Sequence, residues 1–174
     1  MRPSSPRIPV VAPDQFTDEQ AALVGDWSKF NFARMMVNHP ELYRVFLPLG
    51  DKLMGGSSLP HRDREILILR TVGLCGETYE AAHHTAIGLA VGLTEAQVEA
   101  ARTGGAGLSA ADQLLVTAAE ELMGDHCLSD ATWQALSARY SVEQRVELVF
   151  LVGNFAMLSM LTNSLGMPCE RPED

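Results

Sequence analysis

The chain lacks several features that define whole classes of protein. Its 174 residues include only three cysteines, Cys75, Cys127 and Cys169, with no Cys-x-x-Cys pair. The sequence therefore predicts neither a disulfide framework nor a thiolate zinc site, and we expect reduced thiols. Basic residues are scarce, 13 against 22 acidic ones, which gives a net charge of −9. We expect no nucleic-acid partner and no contact with an anionic membrane, because both need a basic patch.

The sequence also shows neither a signal peptide nor a transmembrane helix. Residues 1–6 contain no apolar core of signal-peptide length. No segment stands out with the roughly 20 apolar residues that a spanning helix needs. We therefore expect a cytoplasmic protein with no membrane partner. At 47% hydrophobic residues, the chain is long enough for one domain with a real core, predicted over residues 1–174.

What remains is a helical pattern throughout. Four prolines within the first 13 residues predict an extended N-terminal arm over residues 1–15. Capping-box sequences, in which Ser or Thr is followed by Gln three residues later, start at Thr17, Thr94 and Ser141. No convincing pair of strands is present. The sequence therefore predicts an all-α fold.

The last predicted helix, Val142 to Leu165, is more apolar than one small helical bundle requires. Its run from Val146 to Leu161 is nearly continuous in apolar residues. Such a surplus is typical of helices that contact a second subunit. We therefore expect a homo-oligomer, whether a dimer, a trimer or a hexamer.

A helix predicted from Glu77 to Val91 carries the first chemical pattern. Glu77, Glu80 and His84 are spaced so that they share one stripe of a helix that turns about 100° per residue. Two carboxylates and an imidazole facing one point can transfer protons near neutral pH. The alternative is structural: Glu77 completes the first helical turn, and Glu80 pairs with His84 on a solvated surface.

Two other chemistries receive weaker support from the same region. Glu80 and His83 have the Glu-x-x-His spacing of di-iron bundles, but the second copy that such a centre needs is absent from the sequence. We therefore predict no metal and no other cofactor, although a mononuclear site through His84 stays open. Cys75 precedes a predicted helix N-terminus, which favours a reactive thiolate, but a lone thiol there is more often simply packed.

The preceding helix, predicted from Pro60 to Leu74, has a charged first half and an apolar second half. Glu65 stands at the junction, and Arg70 interrupts the apolar run. An unpaired buried guanidinium is costly, so Arg70 is expected either to pair with a glutamate or to bind substrate. Pairing inside the protein would favour a neutral substrate over an anionic one.

Three segments in these helices resemble the carboxymuconolactone decarboxylase family, which shares its fold with alkylhydroperoxidase D. They are Leu59–Leu67, Tyr79–His84 and Gly92–Val98. The resemblance is clear over residues 40–102 and looser at the end of the last helix. It implies an oligomeric, all-helical bundle of the alkylhydroperoxidase D type.

The resemblance also implies a site. The peroxidase branch uses a glutamate, a Cys-x-x-Cys pair and a histidine, and these positions match Glu65, Glu77, Glu80 and His84 in this chain. Because both cysteines are replaced, thiol cycling through these positions is excluded. The chain is thus similar to the branch without the Cys-x-x-Cys motif, in which catalysis would be acid–base.

These observations predict a cofactor-independent lyase that acts on a small lactone or carboxylate by proton transfer or decarboxylation. The alternatives are a proton-transfer isomerase, dehydratase or cyclase on a neutral substrate, a peroxidase that uses Cys75, and a non-catalytic helical oligomer that binds a small molecule. The predicted catalytic residues are Glu65, Glu80, His84, Tyr79 and Glu77. The predicted substrate-binding residues are Arg70, Arg64, His61 and Cys75.

Overall fold

The computed structural model describes residues 2–170, and over that range the protein is all-helical, without a strand. Its α-helices are α1 Asp18–Val24, α2 Asn31–Met36, α3 Pro40–Met54, α4 His61–Leu74, α5 Tyr79–Ala90, α6 Glu95–Thr103, α7 Ala110–Gly124, α8 Asp130–Ser137 and α9 Val142–Leu165. Two short 3₁₀ segments, Pro13–Gln15 and Gly25–Lys29, complete the helical structure. The predicted all-α class is confirmed.

The chain folds as two compact units. The first contains the residues up to Gly56 together with those from Leu161 onward, and the second runs from Ser57 to Met160. Helices α1 to α3 belong to the first unit, and α4 to α8 with most of α9 belong to the second. All the predicted site residues fall in the second unit. The prediction of a single domain over residues 1–174 stays a prediction.

Capping sets the beginnings of several helices where the sequence predicts them. The Thr17 hydroxyl accepts a hydrogen bond from the Gln20 N–H, and the Gln20 side chain accepts one from the Thr17 N–H. The reciprocal pairs at Thr94 and Ser141 have the same geometry. Each box satisfies N–H groups that the first helical turn leaves without a partner.

The arm before α1 has no regular secondary structure over residues 2–12, with bends at residues 4–5 and 7–8, and Pro13–Gln15 form a 3₁₀ turn. It is held against the first unit by backbone hydrogen bonds. The Arg7 N–H donates to the Leu165 carbonyl, and the Val11 N–H donates to the Arg34 carbonyl. The Arg34 guanidinium returns a hydrogen bond to the Val11 carbonyl. These bonds order the arm within its own unit.

Helix α4 lies at the centre of the second unit, packed against α5, α6 and α7. Ile66, Leu67, Ile68 and Leu69 are all fully buried, which explains why this segment has no amphipathic period. Close packing depends on Gly73, because a Cβ there would lie 2.1 Å from the Arg102 carbonyl oxygen. Glycine thus lets the end of α6 approach α4 directly.

Two predicted helix beginnings are wrong by one or two residues. Pro60 is the N-cap residue of α4 rather than its first helical residue, and α5 begins at Tyr79 rather than at Glu77. The second difference has a clear cause. Gly76 takes a positive φ of 53° after α4, and this turn occupies the residues that would otherwise form the first turn of α5.

Helix α9 has the predicted bounds and is half-buried. Its inner side contributes Leu148, Leu151 and Phe155 to the core. The expectation that no segment reaches membrane-spanning length is wrong for this helix, which is long and apolar enough by length and composition alone. One such helix is weak support for a membrane segment, because half of its most apolar window is buried, as in a core helix of a soluble protein. The predicted lack of a membrane partner stays a prediction.

Candidate active site

Helices α4 and α5 bring together three of the predicted catalytic side chains, Glu65, His84 and Glu80. The imidazole lies between the two carboxylates. Its Nδ1 is 2.5 Å from Glu65 Oε2, and its Nε2 is 3.7 Å from Glu80 Oε2. Glu80 and His84 are one helical turn apart on α5, so their spacing follows from the helix itself. Glu65 comes from α4, so only helix packing brings it to the histidine.

The exposed fraction of the side chain rises from Glu65 through His84 to Glu80. The side chain of Glu65 is 0% exposed, that of His84 is 4% exposed and that of Glu80 is 12% exposed. A fully buried carboxylate accepts hydrogen bonds, so the Nδ1–H tautomer of His84 donates to Glu65. Nε2 then carries the lone pair, and its 3.7 Å separation from Glu80 exceeds hydrogen-bond length. The site therefore has a fixed inner end and a reactive outer nitrogen.

Arg64 supplies a positive charge to this cluster. Its Nε lies 3.2 Å from Glu65 Oε1, the oxygen that His84 does not contact, and the guanidinium is buried. The sequence predicts Arg64 as a substrate-binding residue, but the structure pairs it with Glu65. Two buried charges are tolerated here because each satisfies the other.

Phe155 of α9 is a site residue that the sequence analysis missed. Its ring stands edge-on to the His84 imidazole, at 88° and with centroids 4.9 Å apart. An aromatic edge against the ring limits imidazole rotation and excludes water from that side. No chemical pattern marks Phe155, because it is one apolar residue within a long apolar run.

Glu77 belongs to the helix cap rather than to the helical stripe. It precedes the N-cap residue Thr78, and its carboxylate accepts hydrogen bonds from the N–H groups of Tyr79, Glu80 and Ala81, at 2.8, 2.7 and 3.2 Å. The predicted placement of Glu77 on one face with Glu80 and His84 is therefore wrong. The N–H groups of the first helical turn and the positive end of the helix dipole hold the carboxylate at this end of α5.

Tyr79 is buried next to the cluster, on a neighbouring face of α5. Its ring packs against the ring of His83 at 4.7 Å between centroids. Residues 79 and 83 share one helical face, and residues 80 and 84 share the face about 100° away. The predicted hydrogen bond from Tyr79 to a substrate stays a prediction.

Arg70 lies at the other end of α4, where its guanidinium is engaged inside the protein. Its Nη2 is 2.6 Å from Glu120 Oε1 on α7, and its Nη1 donates to the Arg102 carbonyl at 3.1 Å. Of the two alternatives that the sequence leaves open for Arg70, the structure shows the pairing with a glutamate, and the role in substrate binding stays a prediction. Five residues separate Arg70 from Glu65, which turns the two side chains about 140° apart on one helix.

The two remaining predicted residues lie at the ends of α4. His61 is exposed in its first turn. Cys75 is half-buried and is the C-cap residue, and its N–H donates to the Thr71 carbonyl. Cys75 thus ends one helix, with Gly76 and Glu77 between it and the N-cap of the next. Its predicted role in substrate binding stays untested.

Fold and site together define a class, that of all-helical proteins enclosing a glutamate–histidine–glutamate cluster fit for proton transfer. The model of the carboxymuconolactone decarboxylase family matches residues 40–122, which contain α3 to α6, most of α7 and the whole cluster. The resemblance to this family that the sequence predicts is confirmed. No curated protein matches the chain.

Solved structures share the fold over nearly the whole chain. An alkylhydroperoxidase AhpD core, an uncharacterized peroxidase-related protein from Ralstonia eutropha JMP134, superposes with a TM-score of 0.82 at 18% identity, covering 97% of this chain and 93% of that one. An uncharacterized peroxidase-related protein from Silicibacter sp. TM1040 gives 0.81 at 16% identity, with 99% and 95% covered. At these identities the likeness shows the fold, and the predicted alkylhydroperoxidase D-like fold is confirmed.

Proposed function

We propose that this protein is an acid–base enzyme that transfers a proton to or from a small organic substrate, with His84 as the exchanging base. The arrangement of His84 between Glu65 and Glu80 carries the proposal. Glu65 fixes the Nδ1–H tautomer, so that Nε2 takes up and returns the proton. General acid–base catalysis of this kind contributes about 10²–10⁴-fold to a rate.

Glu80 acts at the outer end of the cluster. It is the most exposed of the three groups, so substrate reaches the imidazole from its side. An ionised Glu80 stabilises the imidazolium that forms when Nε2 accepts a proton. A protonated Glu80 can deliver its own proton to the product. Glu77 positions this group, because its carboxylate holds the Glu80 N–H.

Loss of CO₂ from a lactone carboxylate is the reaction that the family favours. The net charge of the cluster is compatible with an anionic substrate of this kind. The Arg64 guanidinium offsets Glu65, and protonation of His84 offsets Glu80, so the cluster is neutral when the imidazole is charged. An anionic substrate then meets less repulsion than three uncompensated glutamates would cause.

A second candidate is proton transfer on a neutral substrate, as in an isomerase, a dehydratase or a cyclase. The observation that favours it is the pairing of Arg70 with Glu120, because this removes a cation that could bind a substrate carboxylate. Both candidates use the same three groups. In decarboxylation a carbon–carbon bond breaks, CO₂ leaves, and the cluster delivers a proton to the carbanion that remains. In the second candidate the cluster removes a proton from the substrate, and no CO₂ is lost.

Peroxidase chemistry has weaker support, although the structural relatives are described as peroxidase-related. Thiol peroxidases cycle between a thiolate and a disulfide. Of the three cysteines, Cys75 is the one next to α5 in sequence, and Glu77 and Glu80 occupy the positions that match the cysteine pair of that branch. We therefore expect Cys75→Ser to leave any peroxide consumption unchanged. Its abolition would contradict the acid–base proposal.

The direct test measures CO₂ release from carboxymuconolactone, together with deuterium incorporation from D₂O into neutral lactones and ketones by NMR. We expect one of the two reactions in the wild type and a loss of about 10²–10⁴-fold in Glu80→Gln. The matched control is Glu120→Gln, which neutralises a glutamate at the Arg70 end of α4. Equal rates in Glu80→Gln and the wild type, or no reaction of either kind in the wild type, would contradict the proposal.

A further inference from the structure

Helix α9 has an outward face that none of the described residues 2–170 covers. Four of its turns expose only apolar side chains and one glycine, with Phe150 60% and Met160 66% exposed. The outward residues are Val146, Val149, Phe150, Gly153, Met157 and Met160, here called the α9 stripe. On a helix turning 100° per residue they occupy an arc about 100° wide and about 21 Å long. It contains no charged residue.

The α9 stripe is nearly symmetric about its central glycine. Val146 and Met160 lie seven residues to either side of Gly153, and Val149 and Met157 lie four residues to either side. A rotation by 180° about an axis through Gly153 therefore exchanges apolar residue for apolar residue. A two-fold interface requires a surface that is complementary to itself in this way.

Gly153 has no structural purpose within the protomer. A Cβ there would meet nothing within 4 Å, and its φ is not in the left-handed region. Glycine within a helix costs about 1 kcal/mol relative to alanine. The position therefore loses helix stability without gaining packing inside the chain. Glycine at a helix surface does, however, let a second helix backbone approach closely.

We propose that the α9 stripe binds the same stripe of a second copy of this chain, with the two helices antiparallel and crossing at Gly153. Val146 then faces Met160 of the second copy, and Val149 faces its Met157. The interface is isologous, so it closes as a dimer or as the two-fold contact of a larger even-numbered assembly. The stripe becomes the apolar centre of the interface, which is where charged residues are normally depleted.

A second copy fits this face better than a lipid surface does. Helices that lie on membranes flank their apolar side with several Lys and Arg residues, whereas α9 carries a single basic residue, Arg145, and the chain has a net charge of −9. The same net charge makes acidic surfaces of two copies repel each other. A charge-free stripe is therefore the surface at which two copies meet at the smallest electrostatic cost.

Sedimentation of Gly153→Glu tests the proposal. This change fits the free protomer, because nothing lies near the Cβ and the helix propensity improves, but it places two carboxylates face to face at the crossing. We expect an even-numbered wild-type assembly, with Gly153→Glu at half its mass or less and with unchanged circular dichroism. The matched control is Gly124→Glu, at the exposed end of α7, where a Cβ also meets nothing within 4 Å. It should sediment like the wild type.

Cross-linking tests the orientation in a background in which the three native cysteines are replaced by serine. Mixed Val146→Cys and Met160→Cys chains, treated with a short bismaleimide, should link to each other more than either links to itself. A wild-type monomer at tens of micromolar, an assembly that survives Gly153→Glu, or preferential self-linking would overturn the proposal. Flotation of the wild type with phosphatidylcholine or phosphatidylglycerol vesicles, lost in Gly153→Glu, would instead assign the stripe to lipid.

Discussion

Glu65 in the N-terminal half of helix α4 and Arg70 in its C-terminal half each contact a partner on another helix, and these contacts serve different purposes. In the N-terminal half of the helix Glu65 contacts His84, whose imidazole can take up and return a proton. In the C-terminal half Arg70 contacts Glu120 and the Arg102 carbonyl. Arginine stays protonated, so this contact is permanent across the physiological range.

The difference teaches that a buried charge in an apolar run is not by itself a functional signal. Both residues interrupt the same helix and both have partners. Only Glu65 faces a partner whose proton can move, and only its cluster extends to a more exposed group, Glu80. The Arg70 end instead joins α4 to α6 and α7. The first end is a candidate for catalysis, and the second is a structural connection.

The largest expected effect is a difference in turnover between variants of the two adjacent histidines of α5, His83 and His84. In His84→Ala we expect the rate of CO₂ release or of deuterium incorporation to fall by about 10²–10⁴-fold, because the base that exchanges the proton is gone. In His83→Ala, one position along the helix, we expect less than about a tenfold change. The measurement is the initial rate at saturating substrate, with folding verified by circular dichroism. Equal losses of turnover in both variants would contradict the assignment of the base to His84 and would indicate that the face shared by Tyr79 and His83 takes part in catalysis.

The next largest effect is on stability, at the close contact between Gly73 of α4 and the Arg102 carbonyl of α6. Gly73→Ala should lower the free energy of unfolding by about 3 kcal/mol, because its Cβ meets the Arg102 carbonyl at 2.1 Å and the backbone of α6 must move. Gly124→Ala, whose Cβ meets nothing, is the control and should change stability by less than about 1 kcal/mol. Urea unfolding measures both. A tolerated Gly73→Ala would mean that the α4–α6 contact is loose.

Arg70→Met should destabilise the protein by about 2 kcal/mol while leaving turnover within about threefold of the wild type. It removes the contacts to Glu120 and to the Arg102 carbonyl but keeps much of the side-chain volume. Arg102→Met is the control, since it breaks only a partly exposed ion pair with Glu99, worth about 0–1 kcal/mol. A large fall in turnover without loss of stability would return Arg70 to the substrate site.

The smallest effect is a pH dependence of the free energy of unfolding, from the pair formed by Arg62 in the first turn of α4 and Asp112 of α7. The hydrogen bond from Arg62 holds the pKa of the Asp112 carboxyl below its ordinary value of 3.8. Because the folded pKa is lowered, this stabilisation is fully present above about pH 5 and is lost as the pH falls through the folded pKa. Asp112→Asn should therefore cost about 1 kcal/mol at pH 7 and progressively less below pH 4. Urea unfolding at pH 7, 5 and 3.5 measures the difference, and a difference that does not change with pH would contradict it.

Much of the helical structure follows from local signals. The capping boxes at Thr17, Thr94 and Ser141 place three helix beginnings correctly, because a cap is a contact between residues three apart. The pairing of Glu80 with His84 is equally local. Glu77 shows the limit of this reasoning. Its spacing fits the helical stripe, but the turn at Gly76 leaves Glu77 outside the helix, where its carboxylate accepts hydrogen bonds from three N–H groups of the first helical turn.

Contacts between distant residues could not be predicted from spacing. The contact of Glu65 with His84 was available only through the family resemblance. Nothing local predicts that Phe155 covers the imidazole or that Glu120 receives Arg70. These pairs are 71 and 50 positions apart in sequence. Their formation depends on which faces of α4, α5, α7 and α9 pack together.

The sequence by itself determined the all-helical class, most helix bounds, the family resemblance, and the identity of the titratable groups available for chemistry. These depend on interactions within one or two helical turns, or on motifs whose order survives in the chain. The tertiary structure decided which charges are reactive and which are structural. Burial and neighbours set that distinction, since a carboxylate facing an imidazole can exchange a proton, whereas a guanidinium facing a carboxylate and a carbonyl cannot.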